Sequence, residues 1–213
     1  MRIGLELDTR SKLLSAAVNV FGERGFDAAS VREIAEMAGV NHGSIKYHYS
    51  SKKDLWRAVV MYLFNMMDDA VHTNSHLWPE MTARERIIDT TLAYVRFNAQ
   101  YPQFEQIIES ETAQINERTE WLNESFVRPF TDRAVISIAL GQEHGVYPKN
   151  IPPMNLYFMI RAATRSVFAS SYTIERNFGV DVFDDAEVER HSRAMIELFL
   201  LPETEVEPSG QPV

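Results

Sequence analysis

The apolar residues of this 213-residue chain are spaced as in α-helices almost from end to end. They recur every three or four positions, which places them on one face of a helix. No convincing segment alternates between apolar and polar residues as a half-buried strand does, and no internal repeat is visible. The pattern therefore predicts an all-α protein of about nine helices, of which the first three are short and closely spaced and the others long.

The N-terminal segment carries start and stop signals for three short helices. A helix is predicted over Thr9–Arg24, and Gly25 ends it because glycine readily adopts the left-handed conformation found there. Ser30–Glu33 begins a second helix with the pattern of a capping box, in which the first and last residues each bind the other's backbone N–H. This helix ends at Gly39, and Asn41 caps a third, short helix.

Longer helices are predicted from residue 51 onward. Prolines and glycines separate most of them, and Pro129 is expected to kink the one that contains it. The predicted helices cover approximately residues 51–76, 82–100, 103–115, 117–144, 154–177 and 186–200.

The second and third helices, joined by a turn at Gly39 and Val40, form a predicted helix-turn-helix. Val40 and Ile45 fix the third helix on the second, so that the outward residues at its start can enter a major groove of DNA. Small, polar and hydrogen-bonding side chains suit contacts with base edges, and a lysine at a helix N-terminus suits a phosphate. For Arg32 the alternative is an ordinary charge on a solvent-exposed helix face. The candidate DNA contacts are Arg32, Asn41, His42, Gly43, Ser44, Lys46, Tyr47 and Lys52.

Residues 9–56 resemble the DNA-binding domain of the TetR (tetracycline-repressor) family of bacterial transcriptional regulators. The resemblance lies in the ordered strings AAVNVFGERGF at 16–26, SVREIAEMAGV at 30–40, GSIKYHY at 43–49 and SKKDL at 51–55. One position departs, because this chain has Lys46 where the family usually has a tyrosine that meets the DNA backbone. A lysine can also contact a DNA phosphate, so the resemblance still implies DNA binding. The contact pattern and the operator sequence of other family members are less transferable to this chain.

The resemblance also implies a division of the chain by role. Residues 1–56 are expected to bind DNA, residues 57–201 to bind an effector and dimerise, and residues 202–213, with their acidic residues and prolines, to be disordered. A cavity for a small, largely apolar effector is implied between the middle helices, although most aromatic side chains there simply fill a core. The candidate lining residues are Phe97, Phe104, Trp121, Met159 and Phe168.

A homodimer is expected because one helix-turn-helix reads only a few base pairs. Two copies about one DNA turn (~34–36 Å) apart read a palindromic operator. The last two long helices are the expected interface, in which two copies form a four-helix bundle. Packing within one chain is the alternative for the same apolar residues, which are Leu156, Ile160, Ala163, Val167, Val188, Met195 and Phe199. By resemblance, an effector tilts the fourth helix and lowers the affinity for the operator.

The net charge of −9 argues at first against a nucleic-acid partner, but its distribution changes the picture. Residues 1–65 contain nine basic and seven acidic residues, whereas residues 66–213 contain twelve and twenty-three. A weakly basic segment on an acidic chain fits a DNA-binding domain whose neighbour stays away from DNA. Random scatter is the alternative, so charge alone decides nothing.

Composition narrows the location of the protein. The absence of cysteine excludes disulfides and thiol chemistry and fits a reducing compartment. No apolar stretch approaches the roughly 20 residues that span a bilayer, and the N-terminus lacks the core of a signal peptide. We therefore expect a cytoplasmic protein without a membrane segment.

Candidate chemistry outside the helix-turn-helix is sparse. His72 and His76 have the i, i+4 spacing of a metal-binding helix, but a solvent-exposed polar face is the expected interpretation, without metal or cofactor. No nucleophile elbow, P-loop or dinucleotide-binding loop is present, and nothing indicates that Glu109, Glu111 and His144 meet, so we do not expect an enzyme. Two alternatives to a ligand-controlled regulator stay open: a DNA-bound architectural or protein-interaction factor, and an all-helical enzyme.

Overall fold

The computed structural model of the chain describes residues 8–202. Within this range the regular secondary structure is helical and contains no strand, as the spacing of apolar residues predicts. The disordered tail expected at residues 202–213 lies, apart from Pro202, outside the described residues.

The helices have the following bounds. In chain order they are α1 (Thr9–Ala28), α2 (Val31–Met37), α3 (Gly43–Tyr49), α4 (Lys52–His72), α5 (Ala83–Gln100), α6 (Gln103–Thr112), α7 (Glu117–Leu122), α8 (Arg128–Glu143), α9 (Pro153–Ala169), α10 (Ser171–Phe178) and α11 (Asp185–Phe199). A 3₁₀ helix, Ser75–Glu80, lies between α4 and α5, and a π-helical turn, Asn123–Val127, lies between α7 and α8.

The packing divides the chain into two compact units. The N-terminal unit contains residues 8–70 and 97–129, and the C-terminal unit contains residues 71–96 and 130–202. In the N-terminal unit, α1 packs against α2, α3 and α6. Its largest fully buried side chains come from α1, α2, α4 and α7 and are Leu13, Phe21, Ile34, Leu55, Trp56, Leu63, Met67 and Leu122.

The core of the C-terminal unit joins α5, α8, α9, the loop between α8 and α9, and the end of α11. Its buried members are Ile87, Ile138, Val146, Tyr147, Leu156, Tyr157 and Leu200. Gly141 permits close packing here, because a Cβ at this position would lie 2.7 Å from a Tyr147 ring carbon and 2.8 Å from the Ile87 Cδ1. A larger residue at position 141 would require the Tyr147 ring or the Ile87 side chain to shift.

Two of the predicted long helices depart from a regular α-helix in the structure. The backbone is helical throughout residues 117–143, close to the predicted 117–144, but it contains the π-helical turn Asn123–Val127 directly before Pro129, where a proline disturbs regular α-helical hydrogen bonding. The helix expected over residues 154–177 is divided at Ser170, between α9 and α10. These interruptions account for the larger number of segments than the pattern predicts.

The helix predicted to reach residue 76 ends earlier. α4 stops at His72, and the following 3₁₀ helix contains His76 and Pro79. The two histidines therefore do not share one helical face, and across residues 8–202 no group of three His, Asp or Glu side chains is placed to hold a metal ion. Within the same range, no helix is both long enough and apolar enough to cross a membrane.

Candidate nucleic-acid interface

The turn between α2 and α3 is closed by two backbone hydrogen bonds. The Gly39 N–H donates to the Glu36 carbonyl at 3.1 Å, and the Val40 N–H donates to the Ala35 carbonyl at 3.0 Å. This pairing is a Schellman motif, and it requires the positive φ of 65° that Gly39 adopts at no steric cost. The predicted glycine turn is confirmed.

The start of α2 is capped differently from the predicted capping box. The Ser30 hydroxyl accepts the Arg32 N–H at 3.2 Å, as an N-cap should. The Glu33 carboxylate, however, pairs with the Arg24 guanidinium at 3.2 Å instead of turning back to the Ser30 N–H. The predicted hydrogen bond from the Ser30 N–H to the Glu33 carboxylate is therefore wrong, because Arg24 on α1 offers Glu33 a stronger, charged hydrogen bond.

Asn41 organises the start of α3, as predicted. Its side-chain oxygen accepts the Gly43 N–H at 2.8 Å, and its backbone carbonyl accepts the Ser44 N–H at 2.9 Å. These bonds use acceptors of Asn41, whereas its amide nitrogen forms no hydrogen bond within the described residues. Asn41 can thus cap the helix and still offer donors to a partner.

One side of α3 anchors it to the N-terminal unit. Ile45 is 4% exposed and Tyr49 is 6% exposed. The Tyr49 hydroxyl donates to the Arg10 carbonyl on α1 at 3.0 Å, and burial raises the pKa of Tyr49. The phenol therefore stays protonated at neutral pH and remains a donor, which fixes α3 against α1.

The opposite side of α3 is open to solvent, and we call it the α3 face. Its members are Asn41, His42, Gly43, Ser44, Lys46 and Tyr47. Ser44 is half-buried, the others are exposed, and Tyr47 is 85% exposed with its ring edge-on to His48. The structure thus brings together six of the eight predicted DNA contacts on one surface, and Arg32 is likewise exposed at the start of α2.

Lys52, the eighth predicted contact, is already engaged within the protein. Its ammonium donates to the Asp27 carbonyl at 3.2 Å and lies 4.6 Å from the centre of the Phe26 ring. Burial lowers the pKa of this lysine, and the nearby Arg118 adds to the effect. A phosphate contact by Lys52 therefore requires the ammonium to turn from the end of α1 or to share its donors.

A cluster of charged side chains, which sequence reasoning missed, ties α7 to α1 and α4. The Arg118 guanidinium lies 3.1 Å from the Glu111 carboxylate, 3.4 Å from the Asp27 carboxylate and 4.0 Å from the centre of the Phe26 ring. Lys53 on α4 pairs with Glu117 at 2.7 Å. We call these six residues the α7 brace; no sequence motif marks it, because its members come from four separate helices.

The five predicted pocket residues do not share one unit. In the N-terminal unit, Phe97 packs edge-on against Phe104, with ring centres 5.3 Å apart, and Trp121 packs against Trp56 at 5.7 Å. In the C-terminal unit, Phe168 is buried and stacks on Phe183, whereas Met159 is 49% exposed. The aromatic residues act here as core packing, and Met159 lies on the surface of the chain.

Two cavities have walls that include none of those five residues. One, of about 370 Å³ in the N-terminal unit, is lined mostly by hydroxyl and amide side chains of α1, α4 and the α5–α6 junction, together with Leu14 and Val18. Its polar walls include Tyr62 and the hydrogen-bonded pair Asn19 and Gln103. The other, of about 280 Å³ in the C-terminal unit, we call the α5–α8 cavity. Its walls include Trp78, Arg86, Ile87, Thr90, Leu140 and His144. In the sequence, the only sign of this cavity is the basic residue Arg86 on the inward side of α5.

The predicted dimer residues mostly pack inside the chain. Leu156, Val188 and Met195 are buried within the C-terminal unit, so the alternative of intramolecular packing holds for them. The apolar side chains that α9 and α11 do expose are different ones: Met154, Phe158, Met159 and Leu198.

Comparison with known proteins places both parts of the chain in one family. Residues 13–59 match the family described as "Bacterial regulatory proteins, tetR family". Residues 84–198 match the family described as "Tetracyclin repressor-like, C-terminal domain".

The chain is also similar to individual proteins, three of which have sequence identities of 23% or less to it. The chain is 23% identical over 181 residues to the HTH-type transcriptional repressor NicS of Pseudomonas putida, covering 83% of each protein. Its fold is similar to that of the fatty acid degradation regulator FadR from Bacillus halodurans, with a TM-score of 0.62, 18% identity and coverage of 90% and 96% of the two chains. It is also similar to AibR, whose structure was determined with isovaleryl coenzyme A and operator DNA, with a TM-score of 0.66, 13% identity and coverage of 90% and 97%.

Proposed function

The chain belongs to the TetR family of bacterial regulatory proteins and is a DNA-binding regulator, and from that premise we propose that it represses transcription as a homodimer on a palindromic operator. We further propose that a small molecule bound in the helical region after residue 56 releases it from DNA. Such a regulator acts in the cytoplasm, where the DNA is.

The observation that carries the DNA-binding part is the two-sided character of α3. Its buried side, Ile45 and Tyr49, fixes the helix, while the α3 face presents hydroxyl, amide and ammonium groups to solvent. Tyr47 stands almost fully exposed among them. A rigid helix with hydrogen-bonding groups on its outer side is what direct contact with base edges in the major groove requires.

The dimer is supported by the apolar side chains that α9 and α11 leave exposed. Phe158 lies one helical turn from Met154 and from Ala162, which is also exposed, so these three form a stripe on α9. On α11, Ala194 and Leu198 form a second stripe with the same spacing. Paired across a two-fold axis, these stripes rather than the buried residues supply the core of a four-helix bundle.

The release mechanism rests on the position of α4. This helix begins three residues after the end of α3, and its last residues belong to the C-terminal unit. A ligand that binds more tightly when α4 is tilted out of the DNA-binding arrangement shifts the population towards that state. In the neighbour AibR, a small molecule and operator DNA bind the same protein.

The experiment starts from an operator selected out of genomic fragments and measures its affinity by fluorescence anisotropy at several salt concentrations. Tyr47→Ala should weaken specific binding by about tenfold to a hundredfold, corresponding to the ~1–3 kcal/mol of a lost base contact, and leave non-specific binding unchanged. The matched control is Tyr172→Ala, which removes a comparably exposed tyrosine, 78% exposed, from the C-terminal unit. Light scattering verifies that both variants keep the oligomeric state. Selection that yields no preferred fragment, or equal losses in both variants, would contradict the proposal.

A further inference from the structure

We propose that the α5–α8 cavity binds a small monocarboxylate with an apolar body, and that Arg86 holds its carboxylate. The binding site follows from the residues of the C-terminal unit alone. Its regulatory consequence, that the bound acid is the effector, rests on the proposed function.

Arg86 differs from the other arginines of α5 in lacking a strong partner. Arg84 donates to the Leu201 carbonyl at 2.6 Å, and Arg96 pairs with Glu189 at 2.6 Å. Arg86 only reaches the Trp78 carbonyl, at 3.4 Å, and among residues 8–202 no carboxylate lies within ion-pair distance of it. This half-buried guanidinium therefore keeps N–H donors that the chain does not use, and an anionic ligand can accept from them.

The nearest acidic side chain one turn away on α5 is committed elsewhere. Asp89 accepts the Asn74 side-chain amide at 2.7 Å and the Trp78 indole N–H at 3.4 Å. These bonds keep the carboxylate of Asp89 from Arg86 and at the same time orient the Trp78 indole in the cavity wall. Arg86 therefore lies in the cavity wall without an ion pair to Asp89.

The remaining walls are mainly apolar and suit an apolar body behind the charged group. Ala83, Ile87, Leu140 and Trp78 contribute apolar surface, and Thr90 donates its hydroxyl proton to backbone carbonyls of α5. Ser137 on α8 and the exposed His144 just after it are the other polar side chains of the lining. Inorganic phosphate would leave several of its oxygens against this apolar surface without partners. A single guanidinium beside mainly apolar walls fits one carboxylate on a short chain or ring.

The volume limits the size of the ligand. At about 280 Å³ the cavity is slightly smaller than the roughly 300–1,000 Å³ of cavities that hold drug-sized molecules. Benzoate, phenylacetate and hexanoate are suitable probes, and their primary amides are matched neutral controls that differ only in charge.

Binding is measured by nuclear magnetic resonance of the indole N–H groups, since Trp78 is one of three tryptophans and the one in the cavity wall. At least one of the three acids should shift the Trp78 signal, with its amide binding at least tenfold more weakly. Arg86→Met should weaken acid binding by about tenfold to a hundredfold, the range for loss of a hydrogen bond to a charged group, and Arg86→Lys should recover part of it. Lys149→Met, which removes the same charge from an exposed loop position, should bind like the wild type.

Melting temperature provides a second readout that does not depend on signal assignment. The acid should raise the melting temperature of the wild type and leave that of Arg86→Met unchanged, while without ligand Arg86→Met is at least as stable as the wild type. Acids and amides that bind equally, phosphate that binds in place of the acids, or no shift with any acid would each overturn the proposal.

Operator affinity separates this inference from the proposed function. If no acid binds but the operator is bound normally, the proposed carboxylate site is refuted and the proposed DNA-binding function stands. Acid binding through Arg86 without any change in operator affinity keeps the site but refutes its role as the effector site.

Discussion

Replacing Arg118 by methionine tests whether the α7 brace stabilises the N-terminal unit. The substitution keeps most of the apolar stem and removes the guanidinium that pairs with Glu111, whose side chain is only 3% exposed. Without Arg118, the Glu111 carboxylate keeps only its contacts with Thr119, the nearest at 3.4 Å. A buried charge that loses its counter-charge is strongly destabilising, whereas an exposed pair contributes little.

The expected loss is about 3–4 kcal/mol of the free energy of unfolding. Breaking a buried ion pair costs about 3–5 kcal/mol. Arg118 itself is 18% exposed, which favours the lower end, and the lost stacking on Phe26 adds about 0.5–1 kcal/mol. Lys53→Met is the matched control, because its partner Glu117 is 79% exposed and the same loss of charge should change the stability far less than Arg118→Met does.

Urea denaturation followed by tryptophan fluorescence measures both losses, since Trp56 and Trp121 lie together in the N-terminal unit. With a slope of about 1–3 kcal/mol per molar urea, the Arg118→Met midpoint should fall by about 1 M or more. Adding Glu111→Leu to Arg118→Met should restore much of the stability, because no buried charge is then left unpaired. The reasoning is refuted if Arg118→Met and Lys53→Met lose similar stability, or if the second substitution deepens the loss.

Two further predictions concern single residues. Ser50, between α3 and α4, has a φ of 60°, so Ser50→Gly should raise the unfolding midpoint by relieving about 1 kcal/mol of backbone strain; a lower midpoint would contradict this. Burial raises the pKa of Tyr147 from 10 to about 12, so its ionisation opposes folding only above the unfolded pKa. Stability should therefore be unaffected below about pH 10 and fall by up to about 3 kcal/mol between pH 10 and 12, and Tyr147→Phe should flatten this decline in urea titrations at each pH.

Features fixed by neighbouring residues were predictable from the sequence. The positive φ angles at Gly25 and Gly39 and the cap at Asn41 depend on a few adjacent positions, and the structure contains all three. Gly25, however, kinks α1 and does not end it, since the helix reaches Ala28. Ser30 also caps α2 as predicted, but the partner of Glu33 was missed, because Arg24 reaches it from another helix. Local sequence thus predicts a cap well and a tertiary ion pair poorly.

Features assembled from distant segments were not predictable. The apolar stripe of the last long helices fits either a dimer or an internal core, and only the packing shows that Leu156 and Met195 are internal. The pattern predicts one helix over residues 117–144, and residues 117–143 are helical throughout, but the spacing of apolar residues does not reveal the π-helical turn within it. The α5–α8 cavity combines residues about fifty positions apart, and no short motif encodes such a site.

The α3 face and the α7 brace are connected by a continuous series of contacts within the N-terminal unit. Tyr49 holds α3 to α1 through the Arg10 carbonyl, and the far end of α1 is held through Asp27 by Lys52 and Arg118. Sites that read a surface within a fraction of an ångström need supporting residues whose own positions are fixed. Lys52 lies between the two, since it is a candidate phosphate contact and its ammonium already binds the Asp27 carbonyl at the end of α1. A phosphate that draws the Lys52 ammonium away from Asp27 therefore removes one of the contacts that hold the end of α1, and Arg118 keeps the other.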